Sequence, residues 1–219
     1  MSTVASPVVT IDGVVFQLLD DQLCVLLVRR DHEPFAKKWA LAGGFIARNE
    51  TSHQALERAL RAKTGVALKD LPFVEQLYTF DTDAVHGGNA ISLIYFALYR
   101  GGNNSLPDTA QFFPVDSLPE LAYNHADIVI YARDRLRSKV MYTNAMFALL
   151  PPHFTLPQLQ SAYEAVLGYA LDKRNFRKKF LLLGLTEMTD TYERAGAHRP
   201  ARLHRFKQQQ LQSLSRSFT

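Results

Sequence analysis

Short apolar segments separated by polar turns dominate the first hundred residues. Residues 8–16 and 23–29 are rich in β-branched side chains and flank a polar turn, which predicts a β-hairpin. A brief strand is expected at 39–41, ending at a Gly-Gly pair, and two longer strands are expected over 74–80 and 90–99. This half of the chain is therefore expected to be sheet-rich.

Two helices are predicted among these strands. Residues 51–64 carry apolar side chains at the spacing of one helical face, and Gly65 follows as a stop signal. Residues 124–137 alternate apolar and charged positions in an amphipathic helical pattern. The first module is thus predicted to be α+β.

The pattern changes after residue 139. Helices are expected at 144–150, from a cap at Thr155 to about residue 166, and from a cap at Asp172 through residue 183. Small strands at 186–188 and 201–206 complete the order of a winged helix-turn-helix. The Gln- and Ser-rich tail after residue 207 is expected to be frayed.

Composition places the chain among ordinary globular proteins. It has 219 residues, 47% of them hydrophobic and 21% charged, which excludes disordered and collagen-like classes. Its single cysteine, Cys24, excludes an intrachain disulfide and a cysteine-rich metal site. The chain shows neither a leader pattern nor a membrane-length apolar run, so a reducing, cytoplasmic setting without membrane contact is expected.

Charge is distributed unevenly along the chain. Residues 1–132 carry ten Lys/Arg and fifteen Asp/Glu, a net −5, whereas residues 133–219 carry fifteen and six, a net +9. Such asymmetry suggests a module that meets a polyanion, although a solvated basic surface is the plain alternative. We predict two domains, 1–139 and 140–219.

A loop-and-helix motif in the first domain resembles the Nudix signature. Its frame matches that signature at Gly44, Glu50, Arg58, Leu60, Gly65 and Val66. The preceding segment Trp39-Ala40-Leu41-Ala42-Gly43-Gly44-Phe45 is also similar to the family. The resemblance implies a Nudix-like mixed-sheet sandwich.

The resemblance also shows what this chain lacks. Where the family places Mg²⁺-binding carboxylates on one sector of the helix, this chain has Ala59, Ala62 and Lys63. Glu50 remains, whereas Glu57 lies off that sector. We therefore expect a catalytically inactive site that holds neither a metal nor another cofactor, and that binds a phosphorylated effector.

Basic, aromatic and glycine residues near the motif are the predicted effector-binding set. Arginine and lysine offer charge-assisted bonds to phosphate, the glycines permit close approach, and an aromatic ring can stack on a base. The set comprises Arg29, Arg30, Phe35, Gly43, Gly44, Phe45, Arg48, Lys63 and Phe80.

A basic helix and a basic hairpin tip form the predicted DNA-binding surface. Phe176, Phe180 and Leu183 make an inward stripe, while the other face presents cations, with Arg174 and Asn175 as the candidates for base contacts. The predicted DNA-binding residues are Lys173, Arg174, Asn175, Arg177, Lys178, His198, Arg199 and Arg202.

Together the two modules resemble the Nudix-related transcriptional regulators of the NrtR family. That resemblance implies a homodimeric repressor of NAD or sugar-metabolism genes that binds a palindromic DNA operator and responds to ADP-ribose or a related metabolite. Residues 84–88 depart from the Asp-Pro-Arg-Gly segment usual in the NAD-linked members, which leaves the effector open. The helices 124–137 and 144–150 are expected to help build the dimer.

Two other functions stay open from the sequence. An active Nudix hydrolase with a nucleic-acid-binding domain would need acids at the substituted helix positions. A nucleotide-binding scaffold whose basic half meets a protein would show no sequence-specific DNA binding.

Overall fold

The computed structural model of the chain describes residues 8–82, 90–102, 105–193 and 200–214. Within these ranges a seven-stranded sheet flanked by helices is followed by a helical module that ends in a two-stranded hairpin. This order confirms the predicted α+β class with a C-terminal winged helix.

The large sheet is mixed. Its main path runs β3-β2-β1-β6-β5, with β4 paired to β1 and β7 paired to β2. The β1–β6 pair is parallel and the others are antiparallel. Its strands are β1 (Val8–Leu19), β2 (Gln22–Arg29), β3 (Trp39–Ala40), β4 (Ala42–Phe45), β5 (Phe73–Thr82), β6 (Ala90–Leu98) and β7 (Ala110–Pro114).

The predicted hairpin and the two longer strands are confirmed, but the glycine region differs from expectation. Gly43 and Gly44 do not end a strand, because they lie inside β4 and pair with Asp12 and Ile11 of β1. Strand β7 was not predicted, because its five residues end at a proline and are too few to show a clear alternation of apolar and polar side chains.

Three of the α-helices in the described ranges have side-chain caps, and the caps at Thr155 and Asp172 confirm the prediction. Thr51 and Thr155 each form a capping box, the Asp172 side chain accepts from the Asn175 N–H, and Gly65 ends its helix at a φ of 75°. The helices are α1 (Ser52–Thr64), α2 (His125–Tyr142), α3 (Leu156–Leu167) and α4 (Lys173–Leu182).

The segment 144–150 is not a surface helix. It contains a short 3₁₀ helix, Ala145–Ala148, and every residue of the segment is buried. The expectation that it helps build a dimer interface is therefore wrong, because its apolar side chains already pack inside the chain.

Two apolar cores cover the two faces of the sheet. One packs α1 against β1 and β2 through residues such as Leu56 and Leu60. The other runs from the opposite face through α2 into the winged module, where Phe176 and Phe180 belong to the same cluster as Phe16. The two modules thus share a continuous core.

The tail after residue 207 was expected to be frayed, but up to residue 214 it is hydrogen-bonded to the rest of the chain. The Asn144 amide donates to the Gln210 carbonyl, and its Oδ1 accepts from the Gln212 N–H at 2.7 Å. The Leu214 N–H donates to the Tyr142 carbonyl.

Within the described ranges, no helix combines the length and hydropathy that a membrane span requires.

Candidate functional site

A cavity of about 600 Å³ opens where the sheet meets the C-terminal end of α1 and the start of α2. Its size falls within the range of small-molecule sites. Its lining residues are Thr10, Asp12, Arg30, His32, Glu33, Pro34, Leu41, Gly43, Gly44, Phe45, Ala47, Arg58, Lys63, Tyr123 and His125.

A largely buried carboxylate, with 13% of its side chain exposed, lines this cavity. Asp12 Oδ2 accepts a hydrogen bond from Ser92 Oγ at 2.6 Å, and burial raises the pKa of Asp12 against the opposing effects of His125, Ser92 and Lys63. A Cβ at Gly43 would lie 2.0 Å from Asp12 Oδ1, so glycine is required there for the carboxylate to fit.

His125, the first residue of α2, faces this carboxylate. Its Nδ1 accepts a hydrogen bond from the Leu41 N–H at 2.9 Å, and its Nε2 lies 3.9 Å from Asp12 Oδ1. Burial lowers the pKa of His125 despite the nearby Asp12 charge. The ring is therefore a neutral imidazole that presents an Nε2–H donor to the cavity.

Arg30 and Lys63 bring positive charge to the cavity wall. The Arg30 guanidinium lies over the Tyr123 ring, 5.0 Å from its centroid, and its Nε donates to the Pro34 carbonyl. Lys63 Nζ donates to the Gly43 carbonyl at 2.6 Å. Desolvation lowers the pKa of Lys63, and Arg30 lowers it further, whereas Asp12 raises it. An anionic ligand would relieve the repulsion between these two cations.

The remaining acids of the motif are engaged elsewhere. Arg58 donates two hydrogen bonds to the Glu50 carboxylate, at 2.8 and 2.7 Å, and this pairing lowers the pKa of Glu50 to about 2. Glu57 accepts from the Leu68 N–H, beyond the end of α1. Ala59 is buried in the core under α1. Across the ranges that the structure describes, no three His, Cys, Asp or Glu side chains converge as a metal site.

The cavity collects part of the predicted effector-binding set. Five predicted residues line it: Arg30, Gly43, Gly44, Phe45 and Lys63. Phe35 lies behind the wall, edge-on to Tyr123 at 4.9 Å between ring centroids. The structure does not bring Arg29, Arg48 or Phe80 to the cavity. The first two are exposed outside it, and Phe80 packs against Tyr78 and Tyr131.

Sequence reasoning missed Asp12, Tyr123 and His125. Asp12 interrupts the apolar run Val-Val-Thr-Ile-Asp-Gly-Val-Val-Phe, and a lone acid in a buried strand was a signal that could have been used. Tyr123 and His125 reach the cavity only because α2 begins there, which no local pattern indicates.

The basic helix α4 presents its predicted face to solvent. Phe176 and Phe180 are buried beneath it, stacked on each other and each edge-on to Tyr163. Arg177 is half-buried. The exposed predicted cations and amide are Lys173, Arg174, Asn175 and Lys178.

The hairpin formed by β8 (Thr186–Glu193) and β9 (Ala201–Phe206) lies beside this helix and pairs with residue 154 through His204. Arg202 is used inside the hairpin, where it donates to the Thr189 carbonyl at 2.7 Å and pairs with Asp190. The predicted contact residues His198 and Arg199 lie outside the described residues.

Helix α2 joins the cavity to the winged module. It begins at His125 on the cavity wall, and 18 residues give it a length of about 27 Å. Near its other end the Arg137 Nε donates to the Val166 carbonyl of α3 at 2.9 Å. A Cβ at Gly168 would lie 2.5 Å from the same guanidinium, so the two helices approach closely there.

Family models match both parts of the chain. The NUDIX domain model matches residues 10–133, and the NrtR DNA-binding winged helix domain model matches residues 146–206.

Three relatives match over much of their length. The chain is 33% identical to the ADPR responsive transcriptional repressor NtrR of Acinetobacter baylyi, over 92% of this chain and 82% of that protein. It is 31% identical to the ADP-ribose pyrophosphatase of Methanocaldococcus jannaschii, over 61% of this chain and 75% of that enzyme.

The third relative is known from solved structures. Shewanella oneidensis NrtR, crystallised with a 27mer DNA, superposes with a TM-score of 0.75 at 31% identity, covering 91% of this chain and 93% of that one. The NUDIX domain of the same protein, crystallised with ADP ribose, gives a TM-score of 0.52 at 33% identity, covering 60% of this chain and 90% of that one.

Proposed function

This chain belongs to the NrtR family of Nudix-related transcriptional regulators, and from that premise we propose that it is a DNA-binding repressor whose Nudix domain binds ADP-ribose without hydrolysing it. The observation that carries the proposal is the cavity itself. Arg30 and Lys63 line it, while the family's metal-binding positions hold Ala59 and Ala62. Such a site favours binding an anion over activating water.

The remaining groups of the cavity suit a nucleotide sugar. The His125 Nε2–H and the Asp12 carboxylate offer a donor and an acceptor to ribose hydroxyls, and the rings of Phe45 and Tyr123 offer stacking surfaces. The Shewanella domain crystallised with ADP ribose supports this ligand class.

The exposed face of α4 supports the DNA-binding half of the proposal. A recognition helix enters the major groove with its N-terminal residues near the bases, and here those residues are Lys173, Arg174 and Asn175. We assign effector sensing to residues 1–139 and DNA binding to residues 140–219, with α2 spanning the boundary. Because α2 touches both the cavity and α3, a ligand that shifts its first turn would move the winged module.

A homodimer is part of the proposal, because one recognition helix buries too little surface for operator-grade specificity. Helix α2 exposes Ile130 and Tyr131, and Tyr131 clusters with Tyr78 and Phe80 on the outer surface. An exposed aromatic cluster is a typical interface feature, so we place the dimer contact there.

The relation to an ADP-ribose pyrophosphatase favours hydrolysis as the second candidate function. Calorimetry of the full chain with ADP-ribose, followed by chromatography after incubation with Mg²⁺, separates the two. Saturable binding with intact ADP-ribose supports the sensor. Release of AMP at a turnover on the order of 1 per second identifies a hydrolase, and failure to bind removes ADP-ribose as the effector.

A further inference from the structure

We infer that the Lys63 ammonium takes the place of a divalent cation in this cavity, so that the diphosphate of the effector binds as a metal-free anion. The inference rests on the proposed function, since it concerns the same cavity. The inference goes beyond the loss of catalysis, because a catalytically inactive site can still use a metal ion to hold phosphate. Here the positive charge comes from a side chain of the protein itself.

The contacts of Lys63 carry the first step. Its Nζ donates to the Gly43 carbonyl at 2.6 Å, the short distance of a charge-assisted bond. Backbone carbonyls are common ligands of hard cations. An ammonium seated on this oxygen removes it as a metal ligand and places a positive charge beside it.

Among the described residues no three His, Cys, Asp or Glu side chains converge as a metal site, and the acids of the motif and of β1 are already engaged with other groups. The Glu50 carboxylate is held by Arg58 through two hydrogen bonds. The Asp12 carboxylate lies against Gly43 and accepts from Ser92, and burial raises its pKa, which weakens it as an anionic ligand. A divalent ion beside Lys63 would also meet the repulsion of its charge.

Lys63 retains the capacity to bind phosphate. An ammonium has three donors, and the Gly43 carbonyl uses one of them. Arg30 lines the same cavity and adds a second positive charge. Lys63 and Arg30 can therefore both donate charge-assisted hydrogen bonds to an anion in the cavity.

Calorimetry of the full-length protein with ADP-ribose, in EDTA and in excess Mg²⁺, tests the inference. We expect the two wild-type Kd values to agree within about threefold. Lys63→Met should weaken binding in EDTA by about tenfold or more, because it removes the ammonium and keeps the chain length. Lys69→Met, at an exposed lysine outside the cavity, is the matched control and should bind like wild type.

The inference is overturned by wild-type binding about tenfold tighter in Mg²⁺ than in EDTA, or by a Lys63→Met Kd in EDTA equal to that of wild type. If Lys63→Met unfolds at a lower temperature than wild type, Lys63→Gln replaces it in the same binding test. Stoichiometric Mn²⁺ uptake by the ligand-free wild type, followed by electron paramagnetic resonance, also overturns it.

A failure of the proposed effector is distinguishable from a failure of this inference. If ADP-ribose gives no heat in either buffer, the effector is wrong, and inorganic pyrophosphate becomes the probe. Pyrophosphate binding in EDTA that Lys63→Met abolishes then supports the role of Lys63, and no wild-type binding of pyrophosphate overturns it.

Discussion

The backbone N–H of Leu41 donates to Nδ1 of His125 across 2.9 Å, joining the short link between β3 and β4 to the first residue of α2. The bond fixes the imidazole proton on Nε2, toward Asp12. Protonation of Nδ1 would break this bond and place a positive charge in a buried site.

This geometry predicts a loss of folding stability on acidification. Burial lowers the pKa of His125, so the unfolded chain binds this proton more readily, and the stability is lost as pH falls below the unfolded value of about 6.5. The loss from this group at pH 5 is at most about 2 kcal/mol. It is measured by urea unfolding at pH 7 and pH 5.

His125→Asn is the control for that measurement, because the asparagine Oδ1 can accept from the Leu41 N–H without titrating. The variant should lose less stability than wild type between the two pH values. Equal losses in both proteins would show that His125 is not the group responsible.

Substitution of Arg30 should weaken effector binding, whereas the same substitution of Arg48 should not. Both are arginines near the signature loop, but only Arg30 lines the cavity. Arg30→Gln should cost about 1.5–3 kcal/mol, about tenfold or more in Kd for ADP-ribose, through loss of a charge-assisted bond. Calorimetry should find Arg48→Gln unchanged. Comparable weakening by both variants would place the ligand outside this cavity.

The helices could be predicted from the sequence, whereas the composition of the cavity could not. The caps at Thr155 and Asp172 were correctly predicted, because caps and helical periodicity act over a few residues. The cavity combines Asp12 with His125, more than a hundred positions apart, and this pairing depends on where α2 docks.

Hydrogen bonding and burial also decided which predicted residues remained available. Arg202 looks like a DNA contact in the sequence, but it is bonded to the Thr189 carbonyl across the hairpin. The apolar segment 144–150 looks like a surface helix, but the packing of two modules into one core buries it.

The face of α4 should divide into base-reading and phosphate-contacting residues. Arg174→Ala or Asn175→Ala should cost about 1–3 kcal/mol on selected DNA and little on random DNA. Lys178→Ala should weaken both and lower the salt slope by about one. Fluorescence anisotropy at fixed and varied salt measures both effects. If neither Arg174→Ala nor Asn175→Ala changes the ratio of specific to non-specific affinity, α4 does not make the base contacts.

We expect the exposed aromatic cluster of Tyr78, Phe80 and Tyr131 to form the dimer contact. Tyr131→Glu places a carboxylate among Tyr78 and Phe80, and burying it there without a partner is unfavourable. Light scattering should give a dimer for wild type and a monomer for the variant. Tyr169→Glu, at another exposed tyrosine, should stay dimeric. A monomeric wild type, or a dimeric Tyr131→Glu, would contradict the assignment.

The most direct test of a non-hydrolytic sensor is a titration of the preformed protein–DNA complex with ADP-ribose, run in parallel in EDTA and in Mg²⁺. The DNA is a fragment that the protein selects from a random pool, its release is followed by anisotropy, and the ADP-ribose is recovered and chromatographed. We predict saturable release of the DNA with all ADP-ribose recovered intact. DNA that stays bound at saturating ADP-ribose, or release that appears only with Mg²⁺ and AMP formation, would contradict the account.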